Sequence, residues 1–244
     1  MEVHHHQHAE KKSFKEHLFE FFMLFLAVTL GFFVENMREH LIENSRENDY
    51  IHSIAYDLQQ DIYQLDSIIA KRTTRNQMMD SILYLLNYTN PAQHGNDIYY
   101  YARWLPRTFR FITNDRTVLQ LNAGNWRLVR NKTVSDALLN YTEMVRLLGG
   151  YIEQREESLV ILMYPSLNKL FDNRVFEKMI DGLSFDRPTE NPQLLSNDKA
   201  AINEFCNQVQ FAQNANLYFT GTAKKLESNA RKTLDILKKE YDLK

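Results

Sequence analysis

The chain is poor in residues that bend or cross-link a backbone: among 244 residues there are 7 glycines, 5 prolines and a single cysteine, Cys206. One thiol excludes intrachain disulfides and any cysteine-based metal cluster. So few turn formers argue against an all-β or α/β fold, where short strands are punctuated every ~8–12 residues. Charge of one sign is missing too. Lys and Arg number 29 against 31 Asp and Glu, a formal net charge of −2 that predicts no general affinity for nucleic acid. No phosphate loop, nucleophile elbow or zincin helix occurs, and no catalysis is expected. A mean hydropathy of −0.47 excludes a polytopic membrane protein. With 44% apolar residues the chain is nevertheless expected to fold rather than stay disordered.

What is present is sharply segregated. His4, His5, His6 and His8 crowd the first eight residues. Flexible neutral imidazoles can share a divalent transition metal without a fold, so this cluster is a candidate metal site. A headgroup contact and no specific role are the alternatives, and no other cofactor is expected. From Leu18 to Val34 the chain is apolar on every side of a helical wheel, broken only by Glu20, Thr29 and Gly31. A helix apolar all round belongs in hydrocarbon or inside a large core, and no other segment is hydrophobic enough to enclose it. Its 17 residues cover about 26 Å, and Lys15, His17 and Met37 extend it towards the ~30 Å of a bilayer core by snorkelling. No small-residue cleavage site follows, so the segment reads as an uncleaved signal anchor.

Lys11, Lys12 and Lys15 precede the run, while Arg38 and Arg46 follow it among several acids, which favours a cytoplasmic N-terminus. The expected organisation is a His/Lys-rich cytoplasmic tail over residues 1–16, a transmembrane helix over 17–37 and a helical domain over 38–244. That domain is expected in the periplasm of a bacterium, anchored in the inner membrane. Glu20 lies in the first turn of the apolar run. It reads first as an interfacial carboxylate, with helix association and ion movement as the sharper alternatives.

Beyond the anchor the pattern is helical, and the fold class expected is all-α, a transmembrane helix continuing into an elongated antiparallel bundle. Ile51, Ile54, Leu58, Ile62, Leu65 and Ile69 follow helical steps, resumed by Met79, Ile82 and Leu86. Asn90-Pro91 ends this helix, and an irregular stretch through Tyr99 and Trp104 follows. A short helix is expected over Thr117–Ala123, then a stripe through Val134, Leu138, Tyr141, Val145, Leu148 and Ile152, interrupted by Pro165. A shorter helix reaching Ile180 follows, and Asp186–Pro192 is a break. A final near-heptad helix spans about Asp198–Lys239, with one gap near Thr233. Its Ala212, Ala223 and Ala230 permit close approach to the helix leaving the membrane, and Asn216 would fix register if buried. The stripe reads first as an intramolecular core, with a coiled coil between chains as the alternative. Asp57 and Asp61 share a face that reads as solvated.

Three segments resemble a family of uncharacterised single-span proteins of Bacteroidetes-type bacteria. They are the His-rich start with Glu20 and the exit Glu35-Asn36-Met37-Arg38-Glu39, the following helix from Tyr50 to Asp61, and Gly124-Asn125-Trp-Arg-Leu128-Val-Arg-Asn131. The resemblance is strongest over the first fifty residues. It implies location and architecture but no activity. The leading functional expectation is a membrane-anchored helical scaffold or sensor-like binding module with a protein partner or a second copy. The alternative is an accessory subunit of a transport or ion-coupled complex that uses Glu20 and the histidine cluster.

Overall fold

The computed structural model describes residues 13–114, 116–120, 126–182 and 184–243, and the chain divides into two compact units, Met1–Tyr50 and Ile51–Lys244. Helix α1, Phe14–Tyr88, contributes to both and runs for 75 residues without a break. It begins on half of a capping box, in which the Ser13 N–H donates to Glu16 Oε2 at 2.8 Å. No proline and only Gly31 interrupt its sequence, and it stops where Asn90-Pro91 nucleates a 3-10 turn, Pro91–Gln93. In the first unit every side chain from Leu18 to Val34 is exposed except half-buried Thr29, whose hydroxyl donates to the Phe25 carbonyl at 2.6 Å.

The second unit is an all-α bundle, as expected. After α1 come α2 (Gly95–Trp104), α3 (Arg116–Gln120) and α4 (Lys132–Arg146). A π turn over Leu147–Ile152 joins α4 to α5 (Glu153–Leu170), so that Lys132–Leu170 behaves as one long helix. Then follow α6 (Asn173–Lys178), a minimal hairpin of β1 (Ile180–Asp181) and β2 (Ser184–Phe185), and α7 (Lys199–Tyr241). Lys169 meets Glu204 at one end and Asn131 meets Glu240 at the other, so α4–α5 and α7 are antiparallel. Arg231 on Asp66 and Gln213 on Asp80 set α7 antiparallel to α1 as well. The two parallel helices are therefore α1 and α4–α5, and residues 89–131 carry the chain back between them.

Heptad spacing builds the core. Buried positions in α7 run Phe205, Val209, Ala212, Asn216, Phe219, Ala223, Leu226, Ala230, Thr233 and Leu237, in alternating steps of four and three. The gap expected near Thr233 closes because Thr233 itself is buried. In α1 the same alternation runs Ile51, Ile54, Leu58, Asp61, Leu65, Ile68, Arg72, Arg75, Met79, Ile82 and Leu86. Ile68, not Ile69, carries the stripe, and three of its positions are charged. Asn216 is fully buried, as its register role requires. The alanines of α7 bring it closest to α5 and α4 rather than to α1, whose heptad carries long side chains.

The structure departs from the sequence reading in several places. Tyr99 and Trp104 belong to helix α2, whose first residue, Gly95, fits against the Pro192 carbonyl. Pro165 lies inside α5 without ending it. It shares the exposed face with Ile161, whose carbonyl loses its helical partner where water can replace it. Past α6 the chain turns into the β1–β2 hairpin, with Gly182 at φ 55 in the left-handed region, instead of continuing as helix to Ile180. The short helix near residue 117 is observed as Arg116–Gln120, and its expected end at Ala123 lies outside the described residues.

Candidate functional site

Along α1 polar and charged side chains border each end of the apolar run. Glu20 Oε2 lies 3.7 Å from His17 Nδ1, one turn earlier, with both side chains about half or more exposed. At the exit Glu35 accepts from Arg38 Nε at 3.0 Å and from its Nη2, while Asn36 and Glu39 stand exposed on the same helix. The helix meets the length and composition of a membrane span. His4, His5, His6 and His8 lie outside the described residues, as do Gly124 and Asn125. Leu128 closes a 3-10 turn, Trp126–Leu128, and is half-buried. Asn131 caps α4, accepting the Val134 N–H at 3.3 Å and donating to Glu240 at 2.6 Å, which is a structural task.

A polar layer cuts across the apolar core of the bundle. Glu156 accepts from Arg72 Nη1 at 2.7 Å and from Arg75 Nη1 at 2.6 Å, and both guanidiniums also donate to Asn216 Oδ1 at 3.2 Å. Asn216 returns a hydrogen bond from its amide to the Arg72 carbonyl at 2.9 Å. Arg72 lies over the Phe219 ring, 3.4 Å from its centroid, and is fully buried. Burial pushes both arginines below the usual guanidinium range and the Glu156 charge opposes that shift. Other donors of the two arginines reach the chain between α2 and α3, while Arg75 Nε is buried without a hydrogen-bond partner. Arg75 Nη2 bonds the Leu105 carbonyl at 2.8 Å, Arg72 bonds that of Phe109, and Glu153 accepts the Phe111 N–H at 2.8 Å. The layer thus holds residues 105–111 against three helices.

A second polar hub sits on Asp61. Its carboxylate accepts from Thr113 Oγ1 and Tyr141 OH at 2.6 Å, from the Asn114 N–H at 2.8 Å and from the Asn114 side-chain amide at 3.2 Å. Asp61 is buried rather than on the solvated face expected for it. Burial first, and the neighbouring Asp61 charge second, raise the Tyr141 hydroxyl well above its ordinary value. Glu156 and Asp61 are each occupied by several donors and Glu153 by the Phe111 N–H, so neither hub presents an unengaged carboxylate. They clamp the loop that crosses between parallel helices. The signal that exposes them is the unbroken alternation of threes and fours in α1, which runs through Asp61, Arg72 and Arg75 as regularly as through its leucines.

The third feature is a hollow of about 470 Å³ where the π turn and α5 face α7. The buried stripe of α4–α5 steps Leu148, Ile152, Glu156, Val160, three successive fours that overshoot an α-helix by about one residue. The π turn absorbs that residue. The Glu153 N–H bonds the Leu148 carbonyl five residues back, and Glu156 is thereby turned inward to the arginines. Tyr151, on the outer side of the same turn, is exposed at the rim of the hollow, opposite Phe211 and Tyr218 of α7. Arg155 lines it and has no ion-pair partner among the described residues. Among those residues no group of three or more His, Cys, Asp or Glu is placed to hold a metal ion. No family model, no curated protein and no solved structure matches this chain.

Proposed function

We propose that the protein is a membrane-anchored helical module of the bacterial envelope that binds a partner and performs no catalysis. The observation that carries this reading is the state of Leu18–Val34: a run apolar on all sides, wholly helical and without burial in the protein, which water would penalise and hydrocarbon would not. The lysines before the run support an N-terminus in the cytoplasm and a periplasmic second unit. The same segment underlies the likeness to single-span proteins of Bacteroidetes-type bacteria. The two buried polar hubs support a rigid scaffold, because they tie a loop and three helices together without an open reactive group.

The test uses single cysteines in a chain whose Cys206 is replaced by alanine. A cysteine at His8 is expected to resist a membrane-impermeant maleimide in cells with a permeabilised outer membrane, while one at exposed Lys199 reacts. The reverse pattern overturns the orientation. Release of the whole chain from membranes by alkaline carbonate overturns the anchor.

A further inference from the structure

We infer that the hollow between the π turn and α7 is a binding site for a small amphipathic acid, an apolar or aromatic body carrying one carboxylate head. This rests on reading the second unit as a binding module, and on nothing in the anchor. The argument starts from Gly149-Gly150. Glycine inside a helix is unfavourable relative to alanine, and a π turn weakens the hydrogen-bond ladder further. A Cβ added at either glycine would meet nothing within 4 Å, so packing of the bundle does not demand them. They directly precede Tyr151 in the π turn, whose ring lies at the opening of the hollow.

Across the hollow, Phe211 and Tyr218 lie seven residues apart on one face of α7. All three rings are about three-fifths exposed: Tyr151 62%, Phe211 60% and Tyr218 61%. Ile152, Leu159 and Ala215 also line it, and a cavity of about 470 Å³ falls within the range of small-ligand sites, ~300–1,000 Å³. Rings disposed this way offer faces and edges to a planar or aliphatic body.

The charge in the hollow selects the head group. Among the described residues Arg155 is the one charged side chain lining it, and the acids next to it in sequence are engaged elsewhere. Glu153 accepts the Phe111 N–H, Glu156 joins Arg72 and Arg75, and Glu157 pairs with Arg110. None of these acids competes with a ligand carboxylate for exposed Arg155. A guanidinium is weakly hydrated and takes a carboxylate through two parallel hydrogen bonds, and Asn214 adds a side-chain amide at the same rim. A single cation matches a single negative charge.

The test titrates the full chain in lipid nanodiscs by calorimetry with 4-phenylbutyrate and with its neutral amide, using empty nanodiscs as the blank. The acid is expected to bind about tenfold or more tightly than the amide, the difference one charge-assisted bond supplies. Arg155→Gln is expected to reduce the acid to the amide's affinity, and the pair Phe211→Ala and Tyr218→Ala to lose both ligands. These side chains are exposed, so unchanged circular-dichroism melting shows that the variants fold. No heat above the blank with the acid, equal affinity for acid and amide, or an unchanged Kd in Arg155→Gln overturns the inference. A chain that stays in carbonate-washed membranes yet binds no acid refutes the ligand and leaves the anchor standing.

Discussion

Arg72, Arg75 and Glu156 occupy core positions that the helical pattern otherwise gives to leucine and isoleucine, and their energetics follow from that placement. Two guanidiniums share one carboxylate out of water, so the desolvation cost is offset only while every partner is present. Glu156→Gln leaves two buried cations without their counter-ion and is expected to destabilise the fold by about 3–5 kcal/mol, read as a lower urea midpoint. Replacing all three together, as Arg72→Met, Arg75→Leu and Glu156→Leu, removes every charge of the layer at once and is expected to cost less than Glu156→Gln alone, the residual loss coming from the Asn216, Leu105 and Phe109 acceptors left unpaired. A triple variant as unstable as Glu156→Gln would refute that account.

Glu153, one turn from Glu156, makes the stability of the fold depend on pH. Burial raises its carboxyl above the ordinary 4.5, although the Phe111 N–H partly counters this. A folded-state value above the unfolded one means the proton is held more tightly in the fold. Its stabilising share is therefore complete below about pH 4.5 and is lost as pH rises through the folded value. The stability difference between wild type and Glu153→Gln should shift against the wild type as pH rises from 4 to 7. A difference that stays flat, or shifts the other way, in urea titrations across that range would disprove the assignment.

At the scale of elements, glycines with different surroundings give opposite predictions. Gly95 opens α2 where its N–H meets Asn191 Oδ1 at 2.7 Å, and an added Cβ would collide with the Pro192 carbonyl oxygen. That obstacle is backbone and is held by Asn191, itself at φ 49, through bonds to Asn96 and Ala92. Gly95→Ala is expected to destabilise by about 1–3 kcal/mol, the usual range for overpacking. Gly150→Ala has open space around the new methyl and no positive φ, so it should stabilise by about 0.5–1 kcal/mol. Thermal melts of the two variants, shifted in opposite directions, check both statements.

The heptad regularity of α1 and α7 was legible in the spacing of residues, but only when charged residues are admitted to it. An apolar-only stripe passes from Leu65 to Ile69 and then jumps to Met79, missing Asp61, Ile68, Arg72 and Arg75. Helix α2 was obscured for another reason. It is short, and its Gly95 start looks like a breaker until the packing against residues 191–192 is known. Pro165 misled because a proline on an exposed face removes one hydrogen bond without forcing a break.

For the molecule as a whole, the governing quantity is the apolar surface of Leu18–Val34. Leaving that run in water forgoes on the order of 20 kcal/mol or more of burial free energy, far beyond what a folded domain has to spare. Deleting residues 18–34 is expected to move the chain from the carbonate-resistant membrane pellet to the soluble fraction. A deletion variant that still pellets would point to a second membrane contact.

The sequence by itself determined the apolar run, the all-α class and the two longest helices, because each depends on a pattern within one continuous stretch of chain. Only the tertiary structure decided which polar residues went inside, which helices ran parallel, and that a π turn would open a hollow lined by Tyr151, Phe211, Tyr218 and Arg155. Those outcomes depend on pairings between residues as far apart as Arg72 and Asn216. A buried charge is tolerated only when such distant partners arrive together, and no local pattern records their meeting.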